Sequence, residues 1–457
     1  MEKGDLNPIH GLEKGAYISA AWETPDGFPQ NSQGGFMSIK VKLTAIALAL
    51  ALLAPALAFS APTTVNWWHI GTAANDKAMF QGFADAYMKA HPDVKIEITV
   101  LENEAFKSKL TTVMQSGNPP DLFHSWGGGV LAEYAQAGLL RDISKDVKGT
   151  AWGNSMASGV WEVYSADGKN YGAPNDMGGI TFWYNKDLLA KVGYKSFPTD
   201  WDDFIALVKK LKAAGITPIA LGGADKWPAM HMWSYVALRL GGAQLFADTV
   251  SGKNKAGFNE ATWVKAGQMI KELTDLKPFQ DGFLGASYND EAALVGNGVA
   301  AMELMGQWAP NVEKDNSSSK AGIGDKLACA AFPAIKGGKG KITEVIGGGN
   351  GYAVGKNAPD AAVDFLKFIT NKENNAKNAE VSGIIPTTKG AEVGMKDANA
   401  KLVKAIVDKC TFFQLYLDQA FPPAVGGAVN DAVQTILAGT ATPAQACAAI
   451  QSAYAAK

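Results

Sequence analysis

The chain has 457 residues, a net charge of −2 from 42 Lys+Arg against 44 Asp+Glu, and 47% apolar against 19% charged residues. That length and apolar content predict two or three domains with ample core, and they exclude a disordered chain or a coiled coil. Near-neutral charge excludes the basic surface of a nucleic-acid binder. Only Arg141 and Arg239 are arginines, the two-pronged readers of phosphate and carboxylate, so no site for a polyanion is expected.

Residues 1–36 are polar, punctuated by Gly and Pro, and without helical or strand period, so they read as an upstream extension outside the fold. Lys40 and Lys42 then precede an apolar run from Ala45 to Ala54 and the small-residue site Ala56-Leu57-Ala58. A basic start, about ten apolar residues and an A-x-A site predict a secretory signal peptide over 37–58, too short for a mature membrane span. No cysteine follows the run, so an exported chain without a lipid anchor is expected. Cys329, Cys410 and Cys447 form no CxxC pair. In an oxidising compartment Cys410 and Cys447, both in the helical C-terminal part, are candidates for pairing.

Short strands and helices then alternate. Val65–Trp68 reads as a strand, and Met79, Phe80, Phe83 and Tyr87 mark one face of a helix over 76–89. Val94–Val100 alternates apolar and polar, a strand; Phe106, Leu110 and Val113 make the next helix, closed by Gly117 and the double proline 119–120. Asp121–His124 is a further strand, running through Ser125-Trp126 and three glycines into a helix that ends near Gly138. This order predicts an α/β fold with a mainly parallel sheet, whose ligands sit beyond the carboxyl ends of strands. Further strands are expected over 180–184, 299–304 and 350–354, and helices from Thr199 to Gly215, over 359–370, and from Thr442-Pro443 onward. Arg239, on a helix with Tyr235 and Leu238, is expected in a structural salt bridge.

Several segments, in this order and spacing, resemble the family 1 extracellular solute-binding proteins of bacterial ABC sugar importers. They are Gly117-Asn-Pro-Pro-Asp-Leu-Phe123, Gly138-Leu-Leu-Arg-Asp142, Tyr171-Gly-Ala-Pro174 and Trp183-Tyr-Asn-Lys-Asp187. Pro198-Thr-Asp-Trp201, Asn297-Gly-Val-Ala-Ala-Met302, Gly306-Gln-Trp308, Leu437-Ala-Gly439 and Thr442-Pro443 continue the series. The resemblance implies a two-lobe periplasmic binding protein fold with a hinge and an interlobe ligand cleft. It puts lobe one at 62–172 plus 346–375 and lobe two at 173–345 plus 376–457. It further implies a periplasmic monomer that captures a mono- or oligosaccharide and passes it to the membrane permease subunits of an ABC importer.

Sugar chemistry points the same way. A pyranose offers a C–H face to an aromatic ring, and hydroxyls to amides, carboxylates and imidazoles. Eleven of the twelve tryptophans lie in 59–457, several beside small or polar residues. The candidate ligand contacts are therefore Trp68, His69, Trp126, Trp227 and Trp308, with Glu102 and Asn103 after an alternating strand and Asp418 in a C-terminal loop. Asn175 and Asp176 stand where the resemblance implies hydroxyl partners on lobe two, and Asn350 stands among glycines near the implied hinge. Trp152, Trp161, Trp183, Trp201, Trp233 and Trp263 read as packing residues. No HExxH, GxSxG, GxGxxG or P-loop occurs, and His69, His91, His124 and His231 lack metal-ligand spacing, so neither cofactor nor metal is expected. The alternatives are a binder of a non-sugar solute and a secreted glycosidase, which also needs aromatics and a carboxylate pair.

Overall fold

Strand Thr63–His69 pairs in parallel along its whole length with Val94–Val100, Thr63 opposite Val94 and His69 opposite Val100. In this computed structural model, which describes residues 61–456, its other edge runs parallel to Leu122–Ser125. The segments 1–36 and 37–58, expected to be an extension and a signal peptide, lie outside the described residues. Helices Ala74–Ala90 and Asn103–Gln115 make the crossovers that parallel strands require. Gly351–Val354 and Gly172–Pro174 then extend the sheet antiparallel, so only the strands delivered by βαβ units are parallel.

Both faces of this sheet are covered. Trp67 points to one face, edge-on to Phe80 of the first helix at 5.3 Å and to Phe365 of helix Asp360–Ile369 at 5.1 Å. Phe106, Leu110 and Met114 of the second helix cover the other face against Phe123 and Leu131.

Besides a two-stranded hairpin of Ser165–Ala166 and Lys169–Asn170, the described residues build two further sheets. One orders Leu327–Ala330, Thr181–Asn185, Ala300–Met305 and Thr217–Ile219, with Trp183 fully buried and its Nε1 donating to the carbonyls of Met305 and Gly306. The other orders Phe412–Leu415, Glu344–Gly348 and Gly178–Gly179. Helix Trp227–Val250, broken at Gly242 (φ 70°), is buried over most of its length and packs with Ala261–Asp275 and Pro423–Leu437. Trp233 and Trp263 meet in that core at 5.0 Å. Among the described residues no helix is long and apolar enough to cross a membrane.

The chain passes between the five-stranded and three-stranded sheets at 174–178 and again at 348–351. Asn350 joins the two passages. Its Nδ2 donates to both Asp176 oxygens at 3.1 and 3.0 Å and its backbone N–H to Oδ1 at 2.9 Å. In return its carbonyl accepts from the N–H groups of Asn175 and Asp176 at 2.7 and 3.0 Å. A Cβ on Gly347 would lie 2.1 Å from the Gly178 carbonyl, and one on Gly351 2.1 Å from that of Ala173, so the passages come this close only without side chains.

Three expectations are corrected. Asp200, not Thr199, caps helix Trp201–Ala213, its carboxylate accepting from the Asp203 N–H at 2.9 Å. All three cysteines are free; Cys447 is enclosed in the apolar core of helix Pro443–Ala455, while Cys410 follows helix Ala398–Asp408. Among the described residues Arg239 makes no salt bridge: its buried guanidinium donates to the carbonyls of Phe332, Ile342 and Glu344 and lies over Tyr235, 5.1 Å from the ring centre.

Each carbonyl left without a donor inside a protein costs about 1–3 kcal/mol. Arg239→Met is therefore expected to lose about 3 kcal/mol or more of stability, read from the urea midpoint at constant m-value.

Candidate ligand-binding site

A cleft of about 640 Å³ opens where the sheets meet, within the range of small-molecule sites. From the five-stranded sheet it takes His69 at a strand end, Glu102 and Asn103 at the start of the following helix, and Trp126 beyond Leu122–Ser125. From the passages it takes Asn175, Asp176 and Asn350, and from the rest of the chain Trp227, Trp308 and Asp418. Of the residues proposed from sequence, only Trp68 is not brought here. Strand alternation turns it to the face opposite Trp67 and His69, where it packs beside Leu101 under the Lys109 ammonium, 4.6 Å from its ring centre.

The three cleft tryptophans are placed by local backbone. Ser125 Oγ accepts from the Gly127 N–H, and Gly127 takes φ +70° with the Val163 carbonyl where a Cβ would stand. Gly128 and Gly129 likewise admit the backbone of 419–421, so these glycines receive neighbouring chain rather than ligand. Lys226 has φ 64° and ψ −46°, close to the rare, strained form of γ-turn, and turns the chain abruptly into Trp227-Pro228 at the start of its helix. Trp308 folds back over Gly306, whose Cβ would lie 2.1 Å from the indole. Trp227 stands 5.0 Å from Tyr288 and 6.4 Å from Trp308, which stands 6.3 Å from Tyr416, so four rings make one continuous wall.

Polar groups without partners line the same space. His69 Nδ1 accepts from the Gly71 N–H, which leaves Nε2 as the protonated nitrogen; that Nε2 is buried and bonded to nothing. The same holds for His124 Nε2, His231 Nδ1, Trp227 Nε1, Asn378 Oδ1 and Gln419 Oε1, all on cleft-lining residues. Burial pushes the imidazoles down, to about 4 for His69 and His231 and about 3 for His124, so they stand neutral. Burial also raises the Asp176 carboxyl to about 6, against the bonds from Asn350 that favour its charge, and raises Asp418.

Asn175 is held by Asn375, whose Nδ2 donates to its backbone and side-chain oxygens at 2.8 and 3.1 Å. Tyr288, Tyr416, Lys107 and Asn311 are among further lining residues not singled out in the sequence. Helical spacing carries the signal for two of them, since Lys107 is four residues from Asn103 and Asn311 three from Trp308. Among the described residues no group of His, Cys, Asp and Glu is arranged to hold a metal ion.

Behind the aromatic wall lies a buried acidic group. Glu291 of helix Tyr288–Gly296, Glu303 of strand Ala300–Met305 and Glu313 of helix Ala309–Asn316 are 0–1% exposed. Glu291 accepts from the Gly222 N–H at 2.6 Å, while no ordinary donor reaches either oxygen of Glu303 or Glu313. Burial raises all three, with repulsion from neighbouring carboxylates adding to it; Glu291 reaches about 8 from its ordinary 4.5, against the Gly222 N–H bond that favours its charge. Burial therefore favours the protonated, uncharged form of each acid in this group.

The model of the family described as bacterial extracellular solute-binding protein matches residues 73–376. A probable sugar-binding periplasmic protein of Mesorhizobium japonicum is 27% identical over 403 residues, covering 87% of this chain and 93% of its own length. A multiple sugar-binding protein of Streptococcus mutans is 26% identical over 69% of this chain and 73% of its own. Among solved structures, a chitin oligosaccharide binding protein superposes with a TM-score of 0.78 at 25% identity, over 86% of this chain and 98% of its own.

The glutamate group sets a pH signature. A carboxyl whose pKa rises on folding gives stability that is fully present below its unfolded pKa, near 4.5, and lost as pH rises through the folded value, here near 8. Glu303→Gln removes one titrating acid and its repulsion of the others. At pH 8 it is expected to exceed the parent protein in stability by on the order of 1–2 kcal/mol. At pH 4.5 the difference should shrink, as read by thermal unfolding across that range.

Proposed function

The chain belongs to the bacterial extracellular solute-binding proteins, and we propose that it captures a mono- or oligosaccharide in the periplasm for the permease subunits of an ABC importer. The observation that carries this reading is a single cleft combining a wall of aromatic rings with buried, unpartnered, neutral hydrogen-bonding groups. Trp126, Trp227 and Trp308 supply the stacking faces for sugar C–H surfaces. His69, Glu102, Asn103, Asn175, Asp176, Asn350 and Asp418 bond the hydroxyls, with the free His69 Nε2–H as one donor. The sugar-binding descriptions of the relatives support the same ligand class.

Capture proceeds by closure. The crossings at 174–178 and 348–351 support two lobes, within a few residues of the expected 62–172 plus 346–375 and 173–345 plus 376–457, turning about the Asp176–Asn350 junction. Sugar settles on one lobe and closure brings the other lobe's partners onto it, as in hinge-closing receptors. The closed monomer then docks on the permease and hydrolyses nothing.

Titration calorimetry of residues 59–457 against mono- and oligosaccharides, with tryptophan emission followed alongside, tests this. Saturable binding without product is the expected outcome. A released sugar would point to a glycosidase, and silence across the panel to a non-sugar solute. Trp308→Ala is expected to weaken the cognate sugar about 30-fold, roughly 2 kcal/mol; unchanged affinity would remove Trp308 from the site.

A further inference from the structure

Lys107 lies one turn into helix Asn103–Gln115, on the side that lines the cleft. Its ammonium stands 5.6 Å from the centre of the Trp126 ring and 5.9 Å from that of Trp227. Trp126 follows a strand of the five-stranded sheet, and Trp227 opens a helix packed on the smaller sheets. One cation thus reaches aromatic faces that belong to the two walls of the cleft. Both contacts fall within the range over which an indole attracts an ammonium. The same ammonium is tethered to Glu104 Oε1 at 2.9 Å, one helical turn back toward solvent. Glu104 uses one of its three N–H donors, so Lys107 can withdraw from the rings without losing its carboxylate partner.

The faces that attract this ammonium are the faces on which a sugar ring would stack. A ring and an ammonium cannot share them. We propose that Lys107 is a displaceable placeholder: it bridges Trp126 and Trp227 across the unliganded cleft and must yield both rings before sugar can bind. It thereby sets the affinity and favours ligands able to engage both indoles at once. This rests on the sugar reading of the cleft given above. A lysine that instead donated to sugar hydroxyls would have the opposite energetic sign, because its removal would weaken binding.

The experiment compares the parent protein with Lys107→Met and Lys107→Arg by calorimetry, using the sugar that the parent protein binds. Methionine keeps most of the side-chain volume and removes the charge; arginine keeps a cation that stacks on indole. Lys107→Met is expected to bind about tenfold more tightly, and its tryptophan emission without sugar should already differ from the parent's. Lys107→Arg should restore affinity to within about threefold of the parent. Equal or weaker binding by Lys107→Met, with the parent binding normally, would overturn the placeholder role alone. A parent protein that binds no sugar in the panel would overturn the reading of the cleft and this proposal with it.

Discussion

The junction of Asp176 with Asn350 is the point on which the two halves of the molecule are hung. Two passages of chain, more than 170 residues apart in sequence, run side by side between the sheets. Five hydrogen bonds join them there, three to the Asp176 carboxylate and two to the Asn350 carbonyl. Backbone alone could not make this joint, because its amides must also serve the strands on either side. A buried carboxylate accepting from an amide side chain supplies the extra acceptors, and glycines at 347, 349 and 351 let the strands approach. Burial strains the arrangement electrostatically, which is why this carboxyl sits near 6 despite three donors. The cleft opens directly against the joint, so any rotation of the sheets about it changes the gap that a ligand sees.

What lines that gap is unusual mainly for what it lacks. Buried polar atoms are normally satisfied, and each one left open costs free energy. Here several neutral donors and acceptors stay buried and unpaired around one cleft, beside two rings that a lysine reaches. Such a surface is poorly matched to an empty, dry state. It is well matched to a ligand with both apolar faces and hydroxyls. Sites of this kind discriminate strongly, since an analogue lacking one hydroxyl leaves a buried protein group without its partner. The proton-holding glutamates behind the wall extend the same pattern, because they keep a polar interior without accumulating charge beneath the rings.

Much of the fold was legible because periodicity is a local signal. The strict alternation of Val94–Val100 and the 3–4 spacing of Met79, Phe80, Phe83 and Tyr87 each specify an element without knowledge of its neighbours. Cleft residues at strand ends and in glycine-rich passages were legible for a related reason: topology sends such positions toward ligand. Trp68 was not, because both faces of its sheet are covered by helices, so neither burial nor aromatic character tells which of two adjacent tryptophans faces which way. Tyr288 and Tyr416 were missed because a single helix-borne or loop-borne residue becomes part of a site only through packing. Arg239 was misread for a comparable reason. Its partners are carbonyls of 332, 342 and 344, which sequence presents at every position and therefore marks at none.

The turn at Lys226 has a consequence for how readily this surface receives a guest. A lysine held at φ 64° is strained, and glycine would relax the turn without altering any ring. Relaxation, however, would also free the hinge on which Trp227 is mounted, so the indole would have to be ordered anew whenever a guest arrived. Ease of the backbone and readiness of the ring therefore make opposite demands on this position. The same residue pairs with Asp431 at 2.6 Å, so the side chain that strains the turn also ties it to helix Pro423–Leu437.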